Sequence, residues 1–228
     1  MDPDFQIVPA GDAALMVFFD QKVDPGINLR VHHLAYRLDR HRIPGSGEVV
    51  PAYASLTLHY DPLLINYADI HDWVRENIAS LAEANPPVPR TIKVPTVYGG
   101  AYGPDLAFVA EYHRLSIEEV IQLHSEAVYM VYMMGFSPGF AYLGGLAADL
   151  ATPRLENPRI RVPAGSVGLA GSQTGIYPID SPGGWRLIGY TPLKLFNYLV
   201  DPPAVLMPGD KVRFIPISEQ ELADAGSR

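Results

Sequence analysis

The 228-residue chain contains no cysteine, which excludes disulfides, thiolate metal sites and cysteine nucleophiles and makes a reducing cytoplasm the natural compartment. Charge is scarce: 18% of residues are charged and 48% hydrophobic, a balance that excludes an intrinsically disordered chain. Long apolar runs are missing too, since nowhere do about 18 apolar residues follow one another. The amino-terminal MDPDFQIVPAGDAAL has no basic stretch leading into a hydrophobic one, so neither a membrane span nor a secretory leader is expected. Lysine and arginine number 17 against 25 acidic residues, and the resulting charge of −8 argues against a general nucleic-acid binder. Three signatures are absent as well: the zinc motif HExxH, the Gly-Lys-Ser/Thr of a Walker A loop and the GxGxxG of a dinucleotide fold. His32 and His33 point in different directions from one helix, the other histidines are scattered, and no metal site is expected.

Turn residues, by contrast, are plentiful, with 20 glycines and 22 prolines. FQIVPAG and ALMVFF read as strands around a Gly11-Asp12 turn, and Asp24 followed by Pro25 reads as a cap opening a helix with Ile27, Val31, Leu34, Ala35 and Leu38 on one face. EVVPAYASLTLHY has strand composition broken at Pro51, and Tyr67 to Glu83 reads as a second helix. This ββαββα order predicts a small α+β domain over residues 1–88, with the linker at Asn85 to Pro89. Residues 89–228 begin with a strand at TIKVPTVY, a loop at YGGAYGPDL and a helix from Asp105 to Arg114. Ser116 and Glu119 form a capping box that opens another helix to about Ser125. Beyond Val128, short apolar runs separated by glycine and proline predict a β-barrel or sandwich, and the polar last ten residues are expected to fray.

Eleven of the glycines fall between residues 135 and 190. Within VPAGSVGLAGSQTGIYPIDSPGGWRLIGYTPLKLF, residues 162–196, Gly165, Gly168, Gly171 and Gly175 alternate with Ser166, Ser172, Gln173 and Thr174. Such a stretch brings backbone amides and short polar side chains to an anion or a planar amide; the alternative is that its glycines mark barrel corners. Five cations, Arg154, Arg159, Arg161, Arg186 and Lys194, face only Glu156 and Asp180 between residues 151 and 195, so an anion site forms if Arg159, Arg161 and Arg186 converge. His124, at a helix end beside the 135 loop, is the histidine best placed as an acid or base. GFSPG satisfies the letters of a nucleophile elbow around Ser137, but Pro138 removes the amide that an elbow uses for its oxyanion hole.

YGGAYGPDL, LHSEAVYMVYMMGFSPGFAYLGGL and RVPAGSVGLAGSQTGIYPIDSPGGWRLIGYTPLKLF, in that order from about Tyr98 to Phe196, resemble the family of 5-oxoprolinase B subunits, also described as KipI or allophanate hydrolase subunit 1, of the carboxyltransferase subdomain C and D type. GDAAL at 11–15 and VPAYASL at 50–56 fit it as well. The resemblance implies an α/β-sandwich-like first domain and a cyclophilin-like β-barrel. It also implies assembly with a C subunit and an A subunit that together open 5-oxoproline to glutamate at the expense of ATP, and a chain inactive without those partners. It leaves magnesium on Asp105 open. On this footing Gln173, Arg161 and His124 are the expected catalytic groups. Gly165, Ser166, Gly168, Gly171, Thr174, Tyr177, Arg186, Phe136 and Phe140 are the expected substrate or nucleotide contacts. A relative that inhibits a sensor histidine kinase by binding its dimerisation helices supplies the alternative, with the 135-loop aromatics as anchors; a scaffold for the C subunit is the third reading. Tyr190 stands where the family pattern leads one to expect arginine, with Arg186 on the same side of an extended strand.

Overall fold

The computed structural model describes residues 5–20, 22, 24–83, 88–135 and 137–226. The chain divides into two compact units, Met1–Val88 and Pro89–Arg228.

In the first unit, strands β1 (Gln6–Pro9) and β2 (Ala14–Phe18) pair antiparallel across the turn at Gly11. Helix α1 (Pro25–Arg40) starts where the sequence places it: the Asp24 carboxylate accepts from the amides of Gly26 (2.8 Å) and Ile27 (3.0 Å), and Pro25 occupies the first turn where no amide is needed. Strands β3 (Ser46–Pro51) and β4 (Ser55–Tyr60) follow, then α2 (Tyr67–Ala79) and a 3-10 turn (Leu81–Glu83), which together replace the single longer helix expected to Glu83. The sheet order is β1-β2-β4-β3. Leu15, Val17, Leu56 and Leu58 point from it onto Val31, Leu34, Leu38, Ile70 and Val74 of the helices, so the period-two and period-3.6 patterns meet in one core. Most of the expected linker, Asn85 to Pro87, lies outside the described residues.

The second unit opens with β5 (Thr91–Tyr98), α3 (Leu106–His113) and α4 (Ile117–Glu126). The capping box is present in both directions: the Ser116 amide donates to Glu119 Oε2 (2.7 Å) and the Glu119 amide to Ser116 Oγ (3.1 Å). Then come β6 (Tyr129–Met134), β7 (Ala141–Gly144), β8 (Arg159–Val162), β9 (Ser166–Ala170), β10 (Gln173–Ile176), β11 (Ser181–Gly183), β12 (Arg186–Tyr190) and β13 (Lys211–Pro216). Among the described residues seven strands close into a barrel in the order β10-β7-β6-β13-β5-β12-β9, and β8 pairs with β11 beside it. The chain therefore has a mixed α/β fold with a closed barrel. Val94, Tyr129, Leu143, Val167, Leu169, Ile188 and Phe214 fill the barrel, with α3 and α4 contributing Leu106, Val109 and Val120. One expectation fails: the last described residues do not fray but form α5 (Glu219–Gly226). Its start is a second capping box, with the Ser218 amide donating to Glu221 Oε2 (2.7 Å) and the Glu221 amide to Ser218 Oγ (3.2 Å). No helix among the described residues is long and apolar enough to cross a membrane.

Candidate functional site

Alternation along the barrel strands decides which sequence-predicted residues share a face. On β9, Val167 and Leu169 enter the barrel, so Gly168 and Ala170 face outward; on β10, Thr174 and Ile176 enter, leaving Gln173 and Gly175 outside; on β7, Ala141 and Leu143 enter and Tyr142 faces out. Trp185 lies over this outer face. Its Cβ sits 3.1 Å from where a side chain on Gly168 would begin, and its ring 3.0 Å from the same point on Gly175. Phe140, Tyr142 and Tyr177 close around the indole at centroid separations of 5.5, 6.0 and 6.5 Å, which makes a satellite aromatic core outside the barrel.

The polar groups above that core define the candidate site. Gln173 and Tyr142 are half-buried. Arg154 is exposed, with its guanidinium carbon 5.9 Å from the Trp185 ring centroid. Its backbone is held at both ends: the Gly171 amide donates to the Thr152 carbonyl (2.7 Å), and the Leu155 amide donates to the Gly184 carbonyl (2.7 Å). Arg154, counted in the sequence only as one of five cations, is the group that residue-level reasoning misses. What places it here is the bridge between Thr152 and Gly171, a pairing across a long loop that no periodicity announces. Phe140 and Tyr177, expected as substrate or nucleotide contacts, are 2% and 3% exposed and lie beneath the face. Burial raises the Tyr177 phenol above its usual range. Phe136 lies outside the described residues.

Several expected site residues are occupied elsewhere. The Gly165 amide donates to the Tyr177 carbonyl (2.7 Å), the Ser166 amide to Pro163 (3.2 Å) and the Gly171 amide to Thr152, so these amides are not available to cradle an anion. Gly165 has φ of +87°, and a Cβ there would lie 2.4 Å from the Thr191 carbonyl oxygen, a position only glycine tolerates. The three arginines do not share a ligand. Arg159 donates to both Asp105 oxygens (2.8 and 2.9 Å), and the exposed Arg161 donates to Asp180 Oδ2 (2.9 and 2.6 Å). Arg186 stacks at 3.8 Å on Phe108 and donates to the Pro153 carbonyl (3.3 Å). Asp105 also accepts the Leu187 amide (2.7 Å), which leaves it tied to the barrel rather than open to magnesium. Among the described residues no group of three or more histidine, aspartate or glutamate side chains is gathered as for a metal ion.

His124 departs furthest from its expected role. It is fully buried inside the barrel. The Thr174 hydroxyl donates to the Gly168 carbonyl (3.1 Å), so its oxygen accepts from His124 Nε2–H (2.9 Å), and Nδ1 in turn accepts from the Tyr98 hydroxyl (2.7 Å). The Tyr129 hydroxyl donates to the His124 carbonyl (2.9 Å). Burial pushes the imidazole down to about 3 and raises both tyrosines, so the ring is neutral at any physiological pH. Neither His124 nor Thr174 reaches the outer face. Ser137 is 5% exposed, and its hydroxyl has no hydrogen-bond partner among the described residues. A separate cavity of about 370 Å³, lined by Tyr98, Gly99, Gly100, Gly103, Pro104, Leu106, Ala107 and Ile117, carries no charged side chain.

The class of fold is a closed barrel that carries an aromatic cluster against two glycines on its outer face, together with a separate α/β unit. The sequence as a whole narrows that class. Residues 5–206 match the family model described as carboxyltransferase domain, subdomain C and D, and the chain belongs to that family. It is 44% identical to the 5-oxoprolinase B subunit of Bacillus subtilis (strain 168), over 95% of each chain, and 43% identical to the 5-oxoprolinase B subunit of Escherichia coli O157:H7, over 92% of this chain and 94% of that one. The crystal structure of the Kluyveromyces lactis urea amidolyase superposes with a TM-score of 0.75 over 98% of this chain and 16% of that one; at 22% identity the likeness is one of fold.

Proposed function

We propose that this chain is the B subunit of a cytoplasmic 5-oxoprolinase, in which it works with a C subunit and an A subunit to open 5-oxoproline to glutamate with consumption of ATP. The observation that carries this reading is the 44% identity to a 5-oxoprolinase B subunit across nearly the whole of both chains. That end-to-end likeness favours the enzyme subunit over the kinase inhibitor. The two units are read as separate domains, an α/β-sandwich-like one at 1–88 and a cyclophilin-like barrel at 89–228, with the barrel supplying the ligand face.

The geometry supports a binding and orienting share of the work. A lactam is a planar amide with one donor and one acceptor, and the Gln173 side chain on the outer face is an amide of complementary chemistry. Phe140, Tyr177 and Trp185 form one buried cluster on that face, and Gly168 and Gly175 allow Trp185 to pack against the strands. Opening the ring breaks the C–N bond and delivers water to the carbonyl, a step whose activation ATP supplies in the complex. Several groups expected to hold a triphosphate are engaged within the chain: the amides of Gly165, Ser166 and Gly171 donate to backbone carbonyls, and Arg159 and Arg161 hold carboxylates. The nucleotide is therefore assigned to another part of the assembly. On this reading the chain alone has no turnover.

The test is reconstitution. The three subunits are purified together, and ATP- and 5-oxoproline-dependent glutamate release is measured with and without this chain. Release that requires it supports the proposal; equal release without it refutes it. Gln173→Ala in the intact complex is expected to lower kcat/KM about tenfold or more, the scale of losing a hydrogen bond to a polar substrate.

A further inference from the structure

We propose that Arg154 binds the carboxylate of the substrate and thereby sets the preference for small anionic amides, an inference that rests on the function proposed above and deepens it. The support is local. Arg159 and Arg161 are each committed to an aspartate, and Arg186 to an aromatic face and a backbone carbonyl. Among the described residues Arg154 has no carboxylate or carbonyl partner, although it is an arginine in a locally basic stretch and stands over a buried tryptophan. An exposed surface arginine samples many rotamers, and ordering it costs entropy. Here the guanidinium carbon lies over the indole ring at 5.9 Å from its centroid, and the backbone on either side is hydrogen-bonded to Gly171 and Gly184. The guanidinium is thus placed before a ligand arrives, and with no acceptor among the described residues its N–H groups are left to donate to a carboxylate.

The neighbours complete the logic. Arg154 lies two residues after Thr152, which pairs with Gly171 at the tip of the β9–β10 turn, and Gln173 opens β10 two residues later. A small ring that carries both an amide and a carboxylate, as 5-oxoproline does, presents one group to Gln173 and the other to Arg154. A neutral lactam lacks the second group. The cavity lined by Tyr98 and Gly103 has no cation in its lining to take that group.

The experiment uses the reconstituted complex with wild-type chain, Arg154→Ala and Arg154→Lys. KM for 5-oxoproline is expected to rise about ten- to a hundredfold in the alanine variant, the scale of a charge-assisted hydrogen bond, with partial recovery in the lysine variant. Inhibition by 2-pyrrolidinone, the same ring without its carboxylate, is expected to be unchanged. An unaltered KM in Arg154→Ala, or an equal loss of affinity for 2-pyrrolidinone, overturns the proposal and leaves the function standing. If the wild-type complex does not act on 5-oxoproline, the function falls, and Arg154 is judged separately by tryptophan fluorescence. In a Trp73→Phe background, quenching of Trp185 by small carboxylates that disappears in Arg154→Ala supports a carboxylate site, and identical titrations of the two proteins overturn it.

Discussion

His124 offers the sharpest check, because its pKa, hydrogen bonds and burial all bear on one measurable slope. In the unfolded chain an imidazole takes up a proton near pH 6.5. In the folded barrel the same ring stays neutral down to about 3, since burial disfavours the cation and no acid lies against it to compensate. The folded pKa is depressed, so below pH 6.5 the unfolded state binds one proton more than the native state. Stability from this group is fully present above pH 6.5 and falls with pH by about 1.4 kcal/mol per unit until the native ring itself titrates near 3. Between pH 7 and pH 5 the loss is about 2 kcal/mol. The perturbation is His124→Gln, which cannot titrate but retains a donor and an acceptor for Thr174 and Tyr98. Its absolute stability is expected to be lower, because the shorter side chain does not span both partners. Its pH dependence, however, is expected to be flatter than the wild type by about 2 kcal/mol over the same interval. Urea unfolding followed at pH 7, 6 and 5 measures both. Parallel slopes for the two proteins would refute the reasoning, and would mean that the ring is reached by solvent and is again eligible as an acid or base.

Two further outcomes follow from the same accounting of buried polar groups. Asp105→Ala removes the acceptor of Arg159 and of the Leu187 amide at once, leaving a partly buried guanidinium and an orphaned amide. It is expected to cost about 3 kcal/mol or more, read as a lower denaturant midpoint, whereas Asp105→Glu, with the charge kept, is expected to recover part of that loss. Ser137→Ala deletes a buried hydroxyl that has no partner among the described residues and is expected to leave stability unchanged or to raise it by up to about 1 kcal/mol in thermal unfolding, with turnover of the complex intact. A loss of turnover at normal stability would restore Ser137 as a nucleophile despite Pro138.

Local signals carry the fold a long way. Asp24 with Pro25, Ser116 with Glu119 and the alternation in ALMVFF each depend on residues within one or two turns, and each appears where the sequence places it. Ser218 with Glu221 is the same capping chemistry, hidden in a segment whose polar composition alone suggests fraying. The closed order of the barrel is not local. Its strand β13 runs parallel to β5 with Lys211 opposite Thr91, a pairing across about half the chain that only the packed core selects. The arginines follow the same division. Their number and basic surroundings are plain in the sequence, but whether Arg161 meets a ligand or Asp180 depends on a neighbouring strand that returns 19 residues later.

The glycine stretch shows why chemical composition and local spacing can point to a chemistry that the fold assigns elsewhere. Alternating glycine, serine and threonine suits an anion because small residues bring amides close to a ligand; the same smallness suits any large group that must approach the backbone. Gly168 and Gly175 stand on adjacent strands facing the same side, and both lie against the one side chain of Trp185, Gly168 at its Cβ and Gly175 at its ring. What the glycines accommodate is therefore a side chain from further along the chain. The consequence for function runs through that side chain: two glycines let Trp185 approach the barrel strands, and Arg154, the cation that no motif marks, lies over its ring. The residues that read as a binding loop position the group that binds, and the recognisable motif is one step removed from the ligand that its composition suggests.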